Sequence, residues 1–370
     1  MTSTSGEISP PVSSHGARTV PTQLLAVGPP LVGALLALVL GLLTFGVQAT
    51  VGPHHLPLAV GAAESAAAPA LASISGRVTS QGGDAVRWHA VNSRQEAEGL
   101  LDRKEVYGAV LFSLGTGGLT ATVLLSGAVN PVATQAAESI LTQVANNVTA
   151  AARAQVPAGG VQPAAPQAPP APPVQTVILH PASPAGRTLP LAASALLWLT
   201  AVAANALVIV LAPRTRSRRP GRAVSVSAAV VAGLFGSGVV LGLALLWDSG
   251  LPISWEVAGF LWLAGAAFGL FQAGILRWLG LPGIALLGAL YLMAPAVAAL
   301  PPELLNPIYR AALWSWTPFR FTTEGLRSLL YLGSGAQDVQ TALWVCAGLA
   351  AGGLLLIIIP KPGRPSVPVT

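Results

Sequence analysis

Side chains able to do chemistry are sparse in this chain of 370 residues, and their placement excludes more than it offers. No Gly-x-x-x-x-Gly-Lys-[Ser/Thr] loop occurs, so ATP cannot be cradled by that route and any ATPase must be a separate chain. Gly115-Thr116-Gly117-Gly118 joins two β-rich runs rather than opening a helix, which makes it a hairpin turn and not a dinucleotide loop. His54, His55 and His89 supply imidazoles, yet no carboxylate or cysteine stands at ligand spacing beside them, so neither a metal nor a cofactor is expected. No serine sits in Gly-x-Ser-x-Gly and no triad can be assembled, so an enzyme is not expected either. Cys346, the single cysteine, excludes a disulfide framework and a thiolate metal cluster.

The composition explains that scarcity. Hydrophobic residues make up 53% of the chain and charged residues 9%, well under the roughly 25% of soluble domains. Lipid is therefore the expected solvent for most of it. The net charge of +6 is spread in short basic runs between apolar segments, so nucleic acid is not an expected partner. Residues 1–23 read as a polar cytoplasmic tail. Residues 24–47 carry no charge and are long enough, at 1.5 Å per residue, to cross a hydrocarbon core of about 30 Å as a helix. Pro29 and Pro30 lie near its start, where their missing N–H groups cost least. The small-residue sequence Val47-Gln48-Ala49 allows a signal-peptide alternative, but the apolar run exceeds the usual 7 to 15 residues and favours a retained anchor.

Five further apolar runs follow, at 188–211, 223–247, 257–276, 282–300 and 342–359. Arg214, Arg216, Arg218, Arg219 and Arg222 crowd the first of the intervening loops. Each arginine at the bilayer centre costs roughly 2.5–3.5 kcal/mol, so this loop is expected in the cytoplasm, on the same side as Arg18, Arg277, Lys361 and Arg364. That assigns six crossings in a plasma (inner) membrane with both termini cytoplasmic, 361–370 being the second tail. No run holds a charge at its centre. Asn205, Gln272 and Thr44 are the polar groups at membrane depth, and hydrogen bonding to a neighbouring helix is the first expectation for each, with substrate contact the second. Gly233, Gly236, Gly238 and Gly242 on one helix, and Gly265 and Gly269 on the next, allow close helix approach.

Residues 48–156, with balanced charge, read as a small extracytoplasmic mixed α/β domain inserted between crossings 1 and 2. Strands are expected over 56–60, 85–91, 107–112 and 119–125, and helices over 65–79, from the capping box Ser93/Glu96 to Lys104, and over 129–156. Residues 157–187 form an expected Pro-rich linker, with nine prolines among the 28 residues 157–184. Residues 188–360 make the five-helix permease-like part, in which 301–340 reads as two short amphipathic helices broken at Pro318.

The arrangement resembles the YhgE/Pip-like (phage infection protein) membrane proteins of the ABC type 2 permease superfamily. The motifs that carry the likeness are His55-Leu56-Pro57-Leu58-Ala59-Val60, Asp102-Arg103-Lys104-Glu105-Val106-Tyr107-Gly108-Ala109, and the run from Pro301-Pro302-Glu303-Leu304-Leu305 through Trp316-Thr317-Pro318-Phe319 to Glu324-Gly325-Leu326-Arg327. The resemblance implies an export-type permease, a dimer, for a hydrophobic or amphiphilic substrate. It also implies a separate ATP-binding subunit docked near Arg214, Arg216, Arg218, Arg219 and Arg222, or near residues 19–25. The alternative is a cell-surface receptor or scaffold, with the outer domain binding a ligand and the helices as its anchor.

Overall fold

The computed structural model describes residues 22–80, 83–115, 118–154, 174–211 and 221–360. Residues 1–21 and 361–370 of the expected tails, the turn residues 116 and 117, most of the linker, and Arg214, Arg216, Arg218 and Arg219 lie outside the described residues, while residues 22 and 23 of the first expected tail belong to the first helix.

After helix α1 (Thr22–Ala49) the chain folds into a sheet domain: β1 (Leu56–Ala62), α2 (Ala68–Ser80), β2 (Val86–Val91), α3 (Arg94–Asp102), β3 (Gly108–Gly115), β4 (Gly118–Ser126), α4 (Pro131–Ala154) and β5 (Val174–Leu179). The five strands run in the order β2-β1-β3-β4-β5, with β3 and β4 antiparallel and the other neighbours parallel. Both faces are covered, so the central strands are apolar at nearly every position. Leu56, Leu58 and Val60 of β1, with Val110 and Phe112 of β3, meet Leu71 of α2 and Ala137 and Leu141 of α4. Ala59, Ala109 and Leu111 point the other way, onto Ala97 and Leu101 of α3. Ser93 caps α3 as expected, its Oγ accepting from the Glu96 N–H at 3.2 Å, whereas the Glu96 carboxylate accepts at 2.8 Å from the N–H of Asn92, one residue before the cap, rather than from that of Ser93.

The linker expectation needs correcting. Residues 174–179 are not a spacer but the edge strand β5, paired from Val174↔Ala121 to Leu179↔Ser126. Proline density masked a six-residue run, Val-Gln-Thr-Val-Ile-Leu, whose β-branched residues suit a strand and which contains no proline itself.

The rest of the chain is helical: α5 (Pro184–Leu211), α6 (Arg222–Trp247), α7 (Trp255–Leu279), α8 (Pro282–Ala298), a 3-10 turn at Pro302–Leu304, α9 (Pro307–Tyr309) running into a π-helical turn at Arg310–Trp314, α10 (Pro318–Tyr331) and α11 (Gln337–Ile358). Among the described residues, α5, α6, α7 and α11 are long and apolar enough to cross a membrane, while α8 and the Ala37–Ala49 part of α1 are shorter apolar helices. The chain is thus a helical membrane protein carrying a five-stranded sheet domain. α7 is its axis, with 67% of its apolar stretch buried in protein against 22–39% for the other three.

Close approach depends on glycine at particular crossings. A Cβ added to Gly353 of α11 would lie 2.4 Å from the backbone of Leu270, and one on Gly265 of α7 would lie 2.9 Å from the Gly233 Cα of α6. Gly238 and Gly242, expected to share that role, face open space.

The two amphipathic helices expected in 301–340 become one. Prolines 301, 302 and 307 interrupt the first, and its apolar residues divide between two cores. Leu304 enters the core of the sheet domain, whereas Leu305 and Leu313 join Val47 of α1 and Val297 of α8.

Gly353→Val should destabilise the detergent-solubilised protein by roughly 1–3 kcal/mol through overpacking, lowering its melting temperature. Gly348→Val, on an open face of the same helix, should leave the melting temperature unchanged.

Candidate functional site

The sheet domain meets the helices through a lysine in an unusual backbone conformation. After α3 the chain reverses at Lys104, φ +56°. Its N–H donates to the Leu101 carbonyl at 3.0 Å, and the Glu105 N–H donates to the Leu100 carbonyl at 2.9 Å, which is the Schellman pattern. Glycine or asparagine usually fills that left-handed position, because another side chain there costs about 1–2 kcal/mol. The side chain accounts for the exception. Lys104 Nζ lies 2.8 Å from Asp338 Oδ2, in the first turn of α11, and 3.3 Å from Glu324 Oε2 of α10.

Further partners complete the cluster. Arg327, 3% exposed and one turn beyond Glu324, pairs with the same carboxylate. Ser328 Oγ donates to Asp338 Oδ2 at 3.0 Å, and Asp338 also gains from the positive end of α11. Burial alone would raise the pKa of Glu324, but Arg327 and Lys104 outweigh it and hold the carboxyl down at about 2. Tyr107 Oη donates to Glu303 at 2.8 Å; burial first, and that carboxylate second, push its pKa up and keep it a donor. Backbone contacts extend the junction: the Gly52 N–H donates to the Leu304 carbonyl, the His54 N–H to the Glu303 carbonyl, and Asn130 Nδ2 to the Ala299 carbonyl.

These groups border a cavity of about 380 Å³ between the sheet domain and the helices, lined by Lys104, Tyr107, Asn130, Arg320, Glu324 and Asp338 among others. The Arg320 guanidinium carbon lies 3.7 Å from the ring centroids of both Trp314 and Phe321, a pair of cation–π contacts. Its Nη2 reaches the Ser315 carbonyl at 3.4 Å, while its buried Nε has no hydrogen-bond partner. Burial lowers its pKa to about 10, so it remains charged at neutral pH.

A smaller, apolar cavity of about 140 Å³ lies further along the same helices, lined by Trp198, Phe271, Met293, Phe319, Val345 and Leu349 among others. Phe319 opens α10, and its ring lies 5.2 Å from Trp198 and 5.8 Å from Phe268. On α8 the lining steps from Ala298 in the polar cavity to Ala294, Met293 and Leu290 in the apolar one; on α11 it steps from Asp338 and Thr341 to Val345 and Leu349. These intervals are single helical turns, so the two spaces follow one another along two helix faces.

The polar residues singled out from the sequence lie elsewhere. Asn205 is buried in α5 and donates to the Gly269 carbonyl at 3.0 Å. Gln272 is fully buried in α7; its Nε2 donates to the Trp198 carbonyl at 3.2 Å and its Oε1 has no partner. Thr44 bonds within its own helix, to the Leu40 carbonyl. Arg222 begins α6 on an exposed surface. His55 precedes β1 at φ +56° and His89 lies in β2; among the described residues no group of three or more His, Cys, Asp or Glu could hold a metal ion.

From the sequence, Lys104, Tyr107, Glu303, Glu324 and Arg327 were legible only as parts of expected elements or of motifs of resemblance, and Arg320 and Asp338 were not singled out at all. One signal was available: in a chain with so few charges, Arg320, Glu324 and Arg327 recur at helical spacing within one short segment. Neither a family model, a curated protein nor a solved structure matches this chain.

Lys104→Met should weaken docking of the sheet domain by roughly 1.5–3 kcal/mol, seen as faster limited proteolysis in the 50–55 and 180–184 connections. Lys104→Met combined with Glu324→Gln should cost less than the two single changes added together, as coupled partners do. Because the pKa of Glu324 falls from an ordinary value near 4.3 to about 2 on folding, its contribution is complete above about pH 4.5 and is lost as pH falls toward 2. Melting temperature against pH should therefore fall more steeply on the acid side in the parent than in Glu324→Gln.

Proposed function

We propose that this chain is a permease-like, multi-pass plasma-membrane protein that exports a hydrophobic or amphiphilic substrate, with its energy from a separate ATP-binding subunit or another source and no catalytic chemistry of its own. The observation that carries the proposal is the succession of a polar and an apolar cavity along α8 and α11, with the sheet domain closing the polar end. Lipid-facing substrates enter such a path through apolar walls, and polar groups then orient them.

The topology proposed with it has six crossings: α1, α5, α6, α7, α8 and α11. In support, the helix ends alternate. The C-terminal ends of α1 and α8 are joined by Gln48 Nε2 donating to the Ala296 carbonyl, while Gly186 near the start of α5 packs beside Leu251 and Tyr331, and Ser334 before α11 donates to Glu256 in α7. All of these lie at the sheet-domain end, which is the extracytoplasmic side in this proposal. Arg222 and Arg277 mark the opposite end, as the positive-inside rule requires of a cytoplasmic face. A homodimer, docking of the partner at Arg214, Arg216, Arg218, Arg219 and Arg222, and two cytoplasmic termini complete the proposal.

A receptor or scaffold is the second reading, favoured by the sheet domain having a core on both of its faces. Leu349→Trp, which fills the apolar cavity, distinguishes the two: a permease loses efflux, whereas a receptor keeps its outer ligand.

A reporter joined at Thr215 should report from the cytoplasm, and deletion of the protein should raise cellular retention of an amphiphilic tracer. Periplasmic or external exposure of Thr215 removes the topology; unchanged retention, together with isolation from native membranes free of any ATP-binding subunit, removes the export role.

A further inference from the structure

We infer that the two cavities form one site for an anionic amphiphile, a phosphate or carboxylate headgroup at Arg320 carrying an alkyl chain that enters the pocket of Trp198, Phe319 and Leu349. The inference rests on the permease proposal for its biological role and on the geometry alone for binding.

Arg320 is the group that points to the headgroup. Lys104 is paired with Glu324 and Asp338, and Arg327 with Glu324, yet Arg320 lines the same cavity with no carboxylate within ion-pair distance among the described residues. Trp314 and Phe321 both pack against the guanidinium at 3.7 Å, which restrains the side chain. A guanidinium edge presents paired N–H donors that match the oxygens of a phosphate or carboxylate. Glu324 and Asp338 do not abolish attraction for an anion, because each already accepts from Lys104 and the first also from Arg327.

The alkyl chain follows from the succession of linings. One turn along each helix the walls change, on α8 from Ala298 to Ala294 and Met293 and on α11 from Thr341 to Val345, with Leu349 one turn further and Phe271 of α7 beside them. The polar space, about 380 Å³, falls in the range of small-molecule sites, roughly 300–1,000 Å³. At about 140 Å³ the apolar one holds only the headgroup-proximal part of a chain, and the remainder lies in lipid.

Binding is tested on the full chain purified in a neutral maltoside detergent, by calorimetric titration with dodecyl phosphate, inorganic phosphate and dodecanol. Dodecyl phosphate should bind at least tenfold more tightly than either of the others. Arg320→Gln should remove its advantage over dodecanol, and Leu349→Trp should weaken dodecyl phosphate about tenfold. Should Arg320→Gln fail to fold, as judged by its ligand-free melting temperature, Arg320→Lys keeps the charge without the fork and should bind dodecyl phosphate several-fold more weakly. Equal affinity for inorganic phosphate overturns the amphiphile in favour of a free-anion site; equal affinity for dodecanol, or no effect of either Arg320 variant, overturns the headgroup assignment. Binding intact with no efflux phenotype removes the export role and leaves this site standing, so the two failures are distinguishable.

Discussion

A single lysine ammonium, carried at the end of a short helix, ties the sheet domain to α10 and α11, beside the Tyr107–Glu303 and Asn130–Ala299 hydrogen bonds and the burial of Leu304. Lys104 reaches Glu324 and Asp338 only because its backbone occupies a left-handed conformation that a glycine would adopt at no cost. Ion pairs fully exposed to water contribute little, but this lysine is 15% exposed and its carboxylates 26% and 40%, so solvent screens it only in part. The interaction ties the turn after α3 to α10 and α11, and with it one wall of the polar cavity.

The segment before α10 is irregular because it serves two cores at once. Leu304 belongs to the sheet-domain core while Leu305, its neighbour, belongs to the core between α1 and α8. A regular helix places adjacent residues about 100° apart, which does not deliver them to cores on opposite sides. Prolines at 301, 302 and 307 remove the helical alternative and leave short turns whose side chains diverge. Tyr107 and Asn130 then secure this segment from the sheet domain by hydrogen bonds to Glu303 and Ala299.

Within the bundle the polar groups serve structure. Asn205 and the amide nitrogen of Gln272 both bond backbone carbonyls of adjacent helices, and Gly265 and Gly353 let α6 and α11 close on α7. Charge is instead concentrated at the junction with the sheet domain, where Lys104, Arg320, Glu324 and Asp338 line one cavity and Arg327 pairs with Glu324. A membrane protein that keeps its charges out of its apolar helices and collects them at one end can select a ligand by headgroup there and by shape deeper in.

Periodicity and composition alone revealed the long apolar helices, the order of most strands and helices in the sheet domain, and the cap at Ser93, because these depend on local burial patterns and hydrogen bonds a few residues apart. They concealed β5, since a strand's membership in a sheet depends on a partner more than 50 residues away along the chain, and proline-rich surroundings outweighed its own propensity. They also concealed the site. Lys104 is 220 residues from Glu324 and 234 from Asp338, so no spacing rule connects them. Only the docking of the sheet domain against α10 and α11 brings those charges together, because ion pairing and cavity walls are decided by distance in space, which local sequence does not encode.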